Sequence, residues 1–239
     1  GHGAVIANAQ DLVLRLATTL KAPVTTTLLG KGIIPESNPL CLGMCGMHGT
    51  AYANKALTEC DLVMSIGSRF DDRIIGKADR FCRDAVRIHI DIDRGEFGRM
   101  ITCHHYCLGD ARAILEELLK HVRELNTAAW RKHLDGYKRK YPLTYKKRGG
   151  LKMQHIMDVL SGMLNGKGII VTDVGQHQMW AAQFCRCERP RHWLTSGGAG
   201  TMRFGFPAAC GAQFGRPGEA VWVIAGDGGF QMTMSELAT

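Results

Sequence analysis

Two hydrophobic rhythms alternate along this chain. Leu12, Val13, Leu16, Ala17 and Leu20 recur at helical spacing within residues 7–20, and Pro23 stops the helix. Residues 24–29, rich in Thr and Val, read as a strand. So do Leu62–Ile66, which end at Gly67, and the alternating Val86, Ile88, Ile90 and Ile92. A short helix is predicted over 50–58, and Asp110 caps another that runs to Leu119 or beyond. Arg131 to Arg148 is strongly basic and reads as a solvated helix face followed by a linker, with Tyr141 to Gly150 as the linker. From 151 the rhythm restarts: helix to Leu164, strand 168–172, helix Gln176–Phe184, strand near Trp193–Thr195, helix 206–214, strand 221–225 and a helix start at 230–237. Strand–helix alternation of this kind predicts an α/β fold with parallel sheets covered on both faces. The expected organisation is two Rossmann-like domains, residues 1–145 and 151–239, with 146–150 as the end of the linker.

Composition narrows the picture little. A chain of 239 residues holds one large domain or two smaller ones. No apolar run approaches membrane-spanning length, so no membrane helix is expected. No signal peptide is visible, and the chain opens on Gly1 without an initiator Met, so a targeting segment could lie outside it. The net charge of +8 invites a nucleic-acid reading. No such motif accompanies it, and anionic cofactors and substrates suit a basic protein equally well. Nine cysteines at irregular spacings read as reduced, mostly buried thiols. Cys103-His104-His105-Tyr106-Cys107 lacks the second arm of a structural zinc site.

The candidate chemistry lies where strands give way to helices. Gly1-x-Gly3, Thr27 to Gly32, Gly46-Met47-His48-Gly49-Thr50 and Gly67-Ser68-Arg69-Phe70-Asp71-Asp72-Arg73 are expected at such junctions, on one edge of a parallel sheet. Any one glycine loop merely turns the chain; four on one edge favour a dinucleotide. Asp91 is placed to accept hydrogen bonds from a ribose or an adenine-side amine. No Walker A motif is present. The two Arg and two Asp of residues 69–73 are either a surface ion-pair cluster or a carboxylate or phosphate clamp. In the second half, His177, flanked by Gln176 and Gln178 after a strand, is a structural histidine or a diphosphate contact. The glycine-dense run 195–207 lets backbone approach a flat ring, with Met202 as a polarisable buttress. Val221 to Ala225 runs into Gly226-Asp227-Gly228-Gly229, and a carboxylate between glycines at a strand tip suits a hard cation and a polyphosphate.

The order R-F-D-D-R, H-I-D-I-D, G-Q-H-Q-M-W, L-T-S-G-G-x-G-x-M-x-F-G-x-P-A-A, G-D-G-x-F resembles the large catalytic subunit of acetolactate synthase (acetohydroxyacid synthase), a thiamine diphosphate family that also binds FAD. G-D-G alone marks the thiamine diphosphate superfamily. G-M-H-G-T with R-F-D-D-R points to this branch rather than to pyruvate decarboxylase or oxalyl-CoA decarboxylase. The resemblance covers essentially the whole chain. It implies that residues 1–145 are the FAD-binding middle domain, begun just after its first strand, and 151–239 the first part of the thiamine diphosphate domain. The domain bearing the Glu that activates the thiamine ring, and the Asn end of the metal motif, are then expected outside the chain, and the chain alone is expected to be inactive.

Residue by residue, the resemblance implies that Asp227 ligates Mg2+, that His177, Gln178, Thr201, Met202 and Gly228 contact thiamine diphosphate, and that Met202 holds it bent. Met47, His48, Gly67, Arg69, Asp71, Asp91, Ile92 and Asp110 contact FAD, which is mainly structural. Arg73, oriented by Asp72, faces the second 2-oxoacid; Arg73, Met202 and Gln178 are the catalytic candidates. Two positions depart from the family: Arg203 stands where Gly is usual, and Gly229 where Ser is usual. The implied activity is decarboxylation of pyruvate on thiamine diphosphate and transfer of the hydroxyethyl unit to a second 2-oxoacid, pyruvate or 2-oxobutyrate, in branched-chain amino-acid biosynthesis. Implied too are a homodimer or tetramer of the full-length parent, a regulatory small subunit, and a cytoplasmic location in a bacterium or an organellar one in a eukaryote. The rival readings are another thiamine diphosphate carboligase or oxidase, such as a glyoxylate carboligase, and a non-catalytic nucleotide-binding fragment.

Overall fold

A computed structural model describes residues 1–239, which divide into two compact units, Gly1–Leu143 and Thr144–Thr239. The first unit runs α1 (His2–Ile6), α2 (Gln10–Leu20), β1 (Val24–Thr26), β2 (Cys41–Met44), α3 (Ala51–Glu59), β3 (Leu62–Ile66), α4 (Asp72–Ile75), β4 (Val86–Asp91), β5 (His105–Leu108), α5 (Ala111–Leu118) and α6 (Ala128–Lys140). All its strand pairs are parallel: β1 with β2, and β3-β4-β5 in that order.

Parallel strands need crossover helices, and these bury both faces of the sheet. On β4, His89 is 0% exposed and Ile90 1%, although neighbouring residues of a strand point to opposite faces. The apolar stripe of α2 supplies Leu12, Val13 and Leu16 to a core shared with Ala4 and Val5 of α1 and Leu115 of α5. A second cluster joins Leu42, Ala53 and Ala56 to Leu134 of α6. Lys31 is buried as well. Its ammonium lies 2.5 Å from Glu36 Oε1, so the charge is matched inside the fold.

The boundaries differ from expectation at several places. Residues 2–6 form a helix, with Gly1 as its N-cap, so Gly3 lies inside the helix rather than in the loop before it. The strand expected over 24–29 stops at Thr26, because Thr27 caps a 3-10 turn by accepting the Gly30 N–H at 3.1 Å. The strands β2 and β5 are additional. The cysteine–histidine run does not stay a loop: His105 to Cys107 lie in β5, and His104 Nδ1 accepts the Arg87 N–H at 3.0 Å.

The second unit runs α7 (Met153–Leu164), β6 (Ile169–Thr172), α8 (Gln176–Phe184), β7 (Trp193–Thr195), α9 (Gly205–Gly215), β8 (Val221–Ile224) and α10 (Asp227–Gln231). Its parallel sheet has the order β7-β6-β8. The central strand β6 is buried at every residue, whereas Trp222 and Val223 of the edge strand β8 are 42% and 36% exposed. The last helix begins at Asp227 rather than near 230: Gly226 is extended and serves as its N-cap, and the chain turns directly off the strand.

Candidate functional site

In the second unit, chemistry gathers at the C-terminal ends of β6 and β8. Asp173, the first residue after β6, is 1% exposed and organises this end. Its N–H donates to Ile224 O at 2.9 Å, its Oδ1 accepts the Val174 N–H at 2.8 Å, and its Oδ2 accepts the Arg203 N–H at 3.0 Å. One residue thus ties β6, β8 and the loop before α9 together, its backbone N–H reaching β8 and its carboxylate the loop. Sequence reasoning gave Asp173 no role; the available signal was a carboxylate directly behind a buried strand of three aliphatic residues and a threonine.

Both departures from the family pattern touch Asp173. A Cβ on Gly229 would overlap the Asp173 carboxylate, so glycine is what this packing admits. Arg203 has φ +74°, in the left-handed region where glycine is the ordinary occupant. An arginine there is strained by about 1–2 kcal/mol, offset in part by the greater freedom of glycine in the unfolded chain. Arg203→Gly in the full-length protein is therefore expected to raise the melting temperature by a few degrees. A lowered melting temperature would show that the arginine side chain makes compensating contacts.

Around this hub lie the predicted thiamine-side residues. The His177 ring rests against the loop before α10: a Cβ on Gly226 would stand 3.2 Å from its Cε1. Its Nε2 is buried without a partner. Burial holds the imidazole below its ordinary pKa, with the Asp173 charge pulling the other way. The Met202 methyl lies 3.4 Å from the Cβ position of Gly228, so the thioether reaches the G-D-G-G turn. Asp227 is exposed in the first turn of α10. Gly198 has open space where a Cβ would be. Thr201 is exposed, and its N–H is held by Ser196 Oγ at 2.9 Å. Gln178 differs from these: it is buried, and its Nε2 donates to Thr195 Oγ1 at 2.7 Å, which ties α8 to the sheet.

In the first unit, the structure joins the two motifs G-M-H-G-T and R-F-D-D-R. The Met47 N–H donates to Arg73 O at 2.7 Å, and a Cβ on Gly46 would overlap that same carbonyl. Asn54 clamps Gly46 from the other side, accepting its N–H at 2.8 Å and donating to its carbonyl at 2.9 Å. Gly67 has φ +59° and lies backbone to backbone on Gly3, whose N–H donates to Gly67 O at 3.0 Å. Asp71 caps α4 by accepting the Arg73 backbone N–H at 3.0 Å, and its other oxygen lies 3.7 Å from Arg69. Asp72 makes no ion pair with Arg73, contrary to the expectation that it orients the guanidinium; helix α4 begins at Asp72 and carries the two side chains separately. His48 is held below its ordinary pKa by burial and by the Arg73 charge.

The remaining predicted residues fall at the ends of β4 and β5. Asp91 Oδ1 accepts the Asp93 N–H at 3.0 Å. Met47 and Ile92 are large apolar side chains left 59% and 73% exposed. Asp110 Oδ1 caps α5, accepting the N–H groups of Arg112 and Ala113 at 2.9 and 3.2 Å.

The thiamine pyrophosphate enzyme central-domain family matches residues 1–118, and the thiamine pyrophosphate enzyme C-terminal, TPP-binding domain matches residues 173–239. The chain belongs to the thiamine pyrophosphate enzymes. Within that class its similarity is to acetolactate synthase large subunits. It is 45% identical over 247 residues to that of Cyanidium caldarium, covering 100% of this chain and 42% of the relative. To the acetolactate synthase of Mycobacterium bovis it is 43% identical over 247 residues (100% and 40%), and to the large subunit of Parasynechococcus marenigrum 45% over 244 residues (100% and 39%). The chain thus spans about two fifths of the length of the curated relatives it matches.

Proposed function

We propose that the chain is part of an acetolactate synthase catalytic subunit, acting on pyruvate and a second 2-oxoacid with thiamine diphosphate, Mg2+ and FAD. The observation that carries this reading is the convergence at one sheet edge of three features: the Asp227 carboxylate at the start of α10, the Met202 methyl over Gly228, and the unpartnered Nε2 of His177 against Gly226.

The residues present fit the proposed groups. A buried ring nitrogen without a partner suits a diphosphate oxygen, and the open face of Gly198 suits a planar ring. Mg2+ bound beside a diphosphate needs only one or two protein carboxylates, so Asp227 alone on this chain is a sufficient start. In the first unit, exposed Met47 and Ile92 with the acceptor Asp91 suit a flavin nucleotide. Thiamine diphosphate, when bound, supplies the electron sink for decarboxylating a 2-oxoacid. Asp227 would hold the metal, His177 would engage the diphosphate, Met202 would support the cofactor's bent form, and Arg73 would take the carboxylate of the second 2-oxoacid.

The test uses the full-length protein. Given pyruvate, thiamine diphosphate, Mg2+ and FAD, it is expected to form acetolactate, measured as acetoin after acid decarboxylation, and to stop when thiamine diphosphate is withheld. Carboligation of glyoxylate without acetolactate from pyruvate would overturn the assignment in favour of the other carboligase.

A further inference from the structure

His89 is the most enclosed titratable side chain of the first unit, and nothing above uses it. It lies two residues before Asp91 on β4 and is 0% exposed. Its Nε2 stands 2.9 Å from the carbonyl oxygen of Ser68, and 3.6 Å from Asp91 Oδ2. Because a carbonyl only accepts, Nε2 carries the proton and Nδ1 the lone pair. That Nδ1 is buried without a partner. The ring is walled by Phe70 at 4.9 Å and Phe97 at 5.2 Å, both edge-on, and by Tyr106 at 6.5 Å between centroids. Phe70 is itself held at φ +55°, an unusual conformation for a bulky residue, and is 4% exposed. The backbone at 70 is therefore bent so that its ring closes on His89 while Arg69 and Asp71 stay on either side.

We propose that His89 is a positioning residue for the flavin-facing edge: its Nε2–H ties Ser68, in the loop that carries Arg69, Asp71 and Arg73, to the strand end that carries Asp91, and so sets the distance between the two. This rests on the flavin reading given above. The Gly67 N–H donates to Ile90 O at 2.8 Å and Ser65 Oγ donates to Ser68 O at 3.3 Å, but the shorter bond from His89 is the one that reaches Ser68 from β4, the strand that carries Asp91.

The arrangement works with the neutral ring. A second proton on Nδ1 would have no acceptor, and burial holds the imidazole below its ordinary pKa. The groups that face it are Asp91 on its own strand, Glu96 in the following turn, the Ser68 carbonyl and Phe70 from the loop, and the Tyr106 phenol from β5; the two carboxylates pull its pKa back upward. A histidine lowered in the folded state gives stability that is complete above its unfolded value, about 6.5, and is lost as the pH falls below it.

FAD titrations of the full-length protein, followed by flavin fluorescence, test this. His89→Phe keeps a ring and removes the shorter of the two donors to Ser68 O, and is expected to weaken FAD binding by up to about tenfold, the net worth of one hydrogen bond. His89→Gln can place an N–H near the Nε2 position. It is expected to bind FAD within about threefold of the wild type, and to lack the decline in affinity expected of the wild type where folded-state His89 takes a proton, below its ordinary pKa. Wild-type affinity and pH profile in His89→Phe would overturn the proposal. So would an unchanged acid decline in His89→Gln, which decides the matter if the Phe variant does not fold. A wild type that binds no FAD at any pH would remove the flavin reading, and this inference with it; binding by the wild type with unaltered variants removes this inference alone.

Discussion

Asp227→Ala in the full-length protein is expected to weaken apparent thiamine diphosphate affinity by roughly a hundredfold or more, while the flavin absorbance stays at the wild-type level. Loss of groups that merely support a metal ligand already costs about 10–100-fold. Loss of the protein carboxylate that holds the ion should meet or exceed that. The fold offers little to confuse the result. Asp227 is exposed, makes no capping hydrogen bond, and contributes to α10 only as a charge near the helix start. That contribution is about 0.3–1 kcal/mol, small beside the roughly 2.7 kcal/mol of a hundredfold change. Activity and thiamine diphosphate saturation measured at limiting cofactor decide the point. Parental behaviour would remove Asp227 from the metal site.

Arg73→Ala is expected to impair carboligation more than decarboxylation. A guanidinium recognises a carboxylate through two parallel hydrogen bonds that alanine cannot make, and a charge-assisted bond contributes about 1.5–3 kcal/mol. Arg73 is exposed and its guanidinium makes no ion pair, so it is available to an incoming anion. The loop around it is held by backbone atoms that alanine retains: the 73 N–H donates to Asp71 Oδ1 at 3.0 Å, and the 73 carbonyl accepts from Met47 N–H at 2.7 Å. The variant should therefore keep its flavin, and the ratio of acetaldehyde to acetolactate should rise. An unchanged ratio with full flavin would end the idea of a substrate clamp. Flavin loss with both steps falling together would instead make Arg73 a structural member of the loop.

Periodicity made most of the fold legible before any coordinates. The strand Leu62–Ile66, the helix Gln176–Phe184 and the cap at Asp110 are where the sequence places them, because each has a local signal that tertiary contacts do not overrule. The strands β2 and β5 escaped, since Cys41–Met44 contains a glycine and His105–Leu108 is half polar. The candidate site was legible as motifs and opaque as geometry. Alternation along β4 implies an outward His89, yet His89 is sealed while Val86 is 40% exposed, because loops and a neighbouring strand cover that face. Lys31 lies in the glycine loop 27–32 expected at the nucleotide edge; that it is buried depends on Glu36, a pairing no short-range pattern announces. Arg203 was visible as an oddity, but only the backbone angle says why glycine belongs there.

Within residues 1–239 the position of β8 has a consequence for how this stretch behaves when produced by itself. Val221–Ile224 is aliphatic and aromatic, carries no charge or proline, and presents Trp222 and Val223 on a strand paired along one side only. Such an edge is a template for strand addition by any other extended chain, including a second nascent copy. Residues 1–239 produced by themselves are thus expected to self-associate through the second unit at high concentration, read as light scattering. A lysine in place of Trp222 would blunt the edge, as natural sheets do with charge, at the risk of disturbing whatever packs there in the mature enzyme.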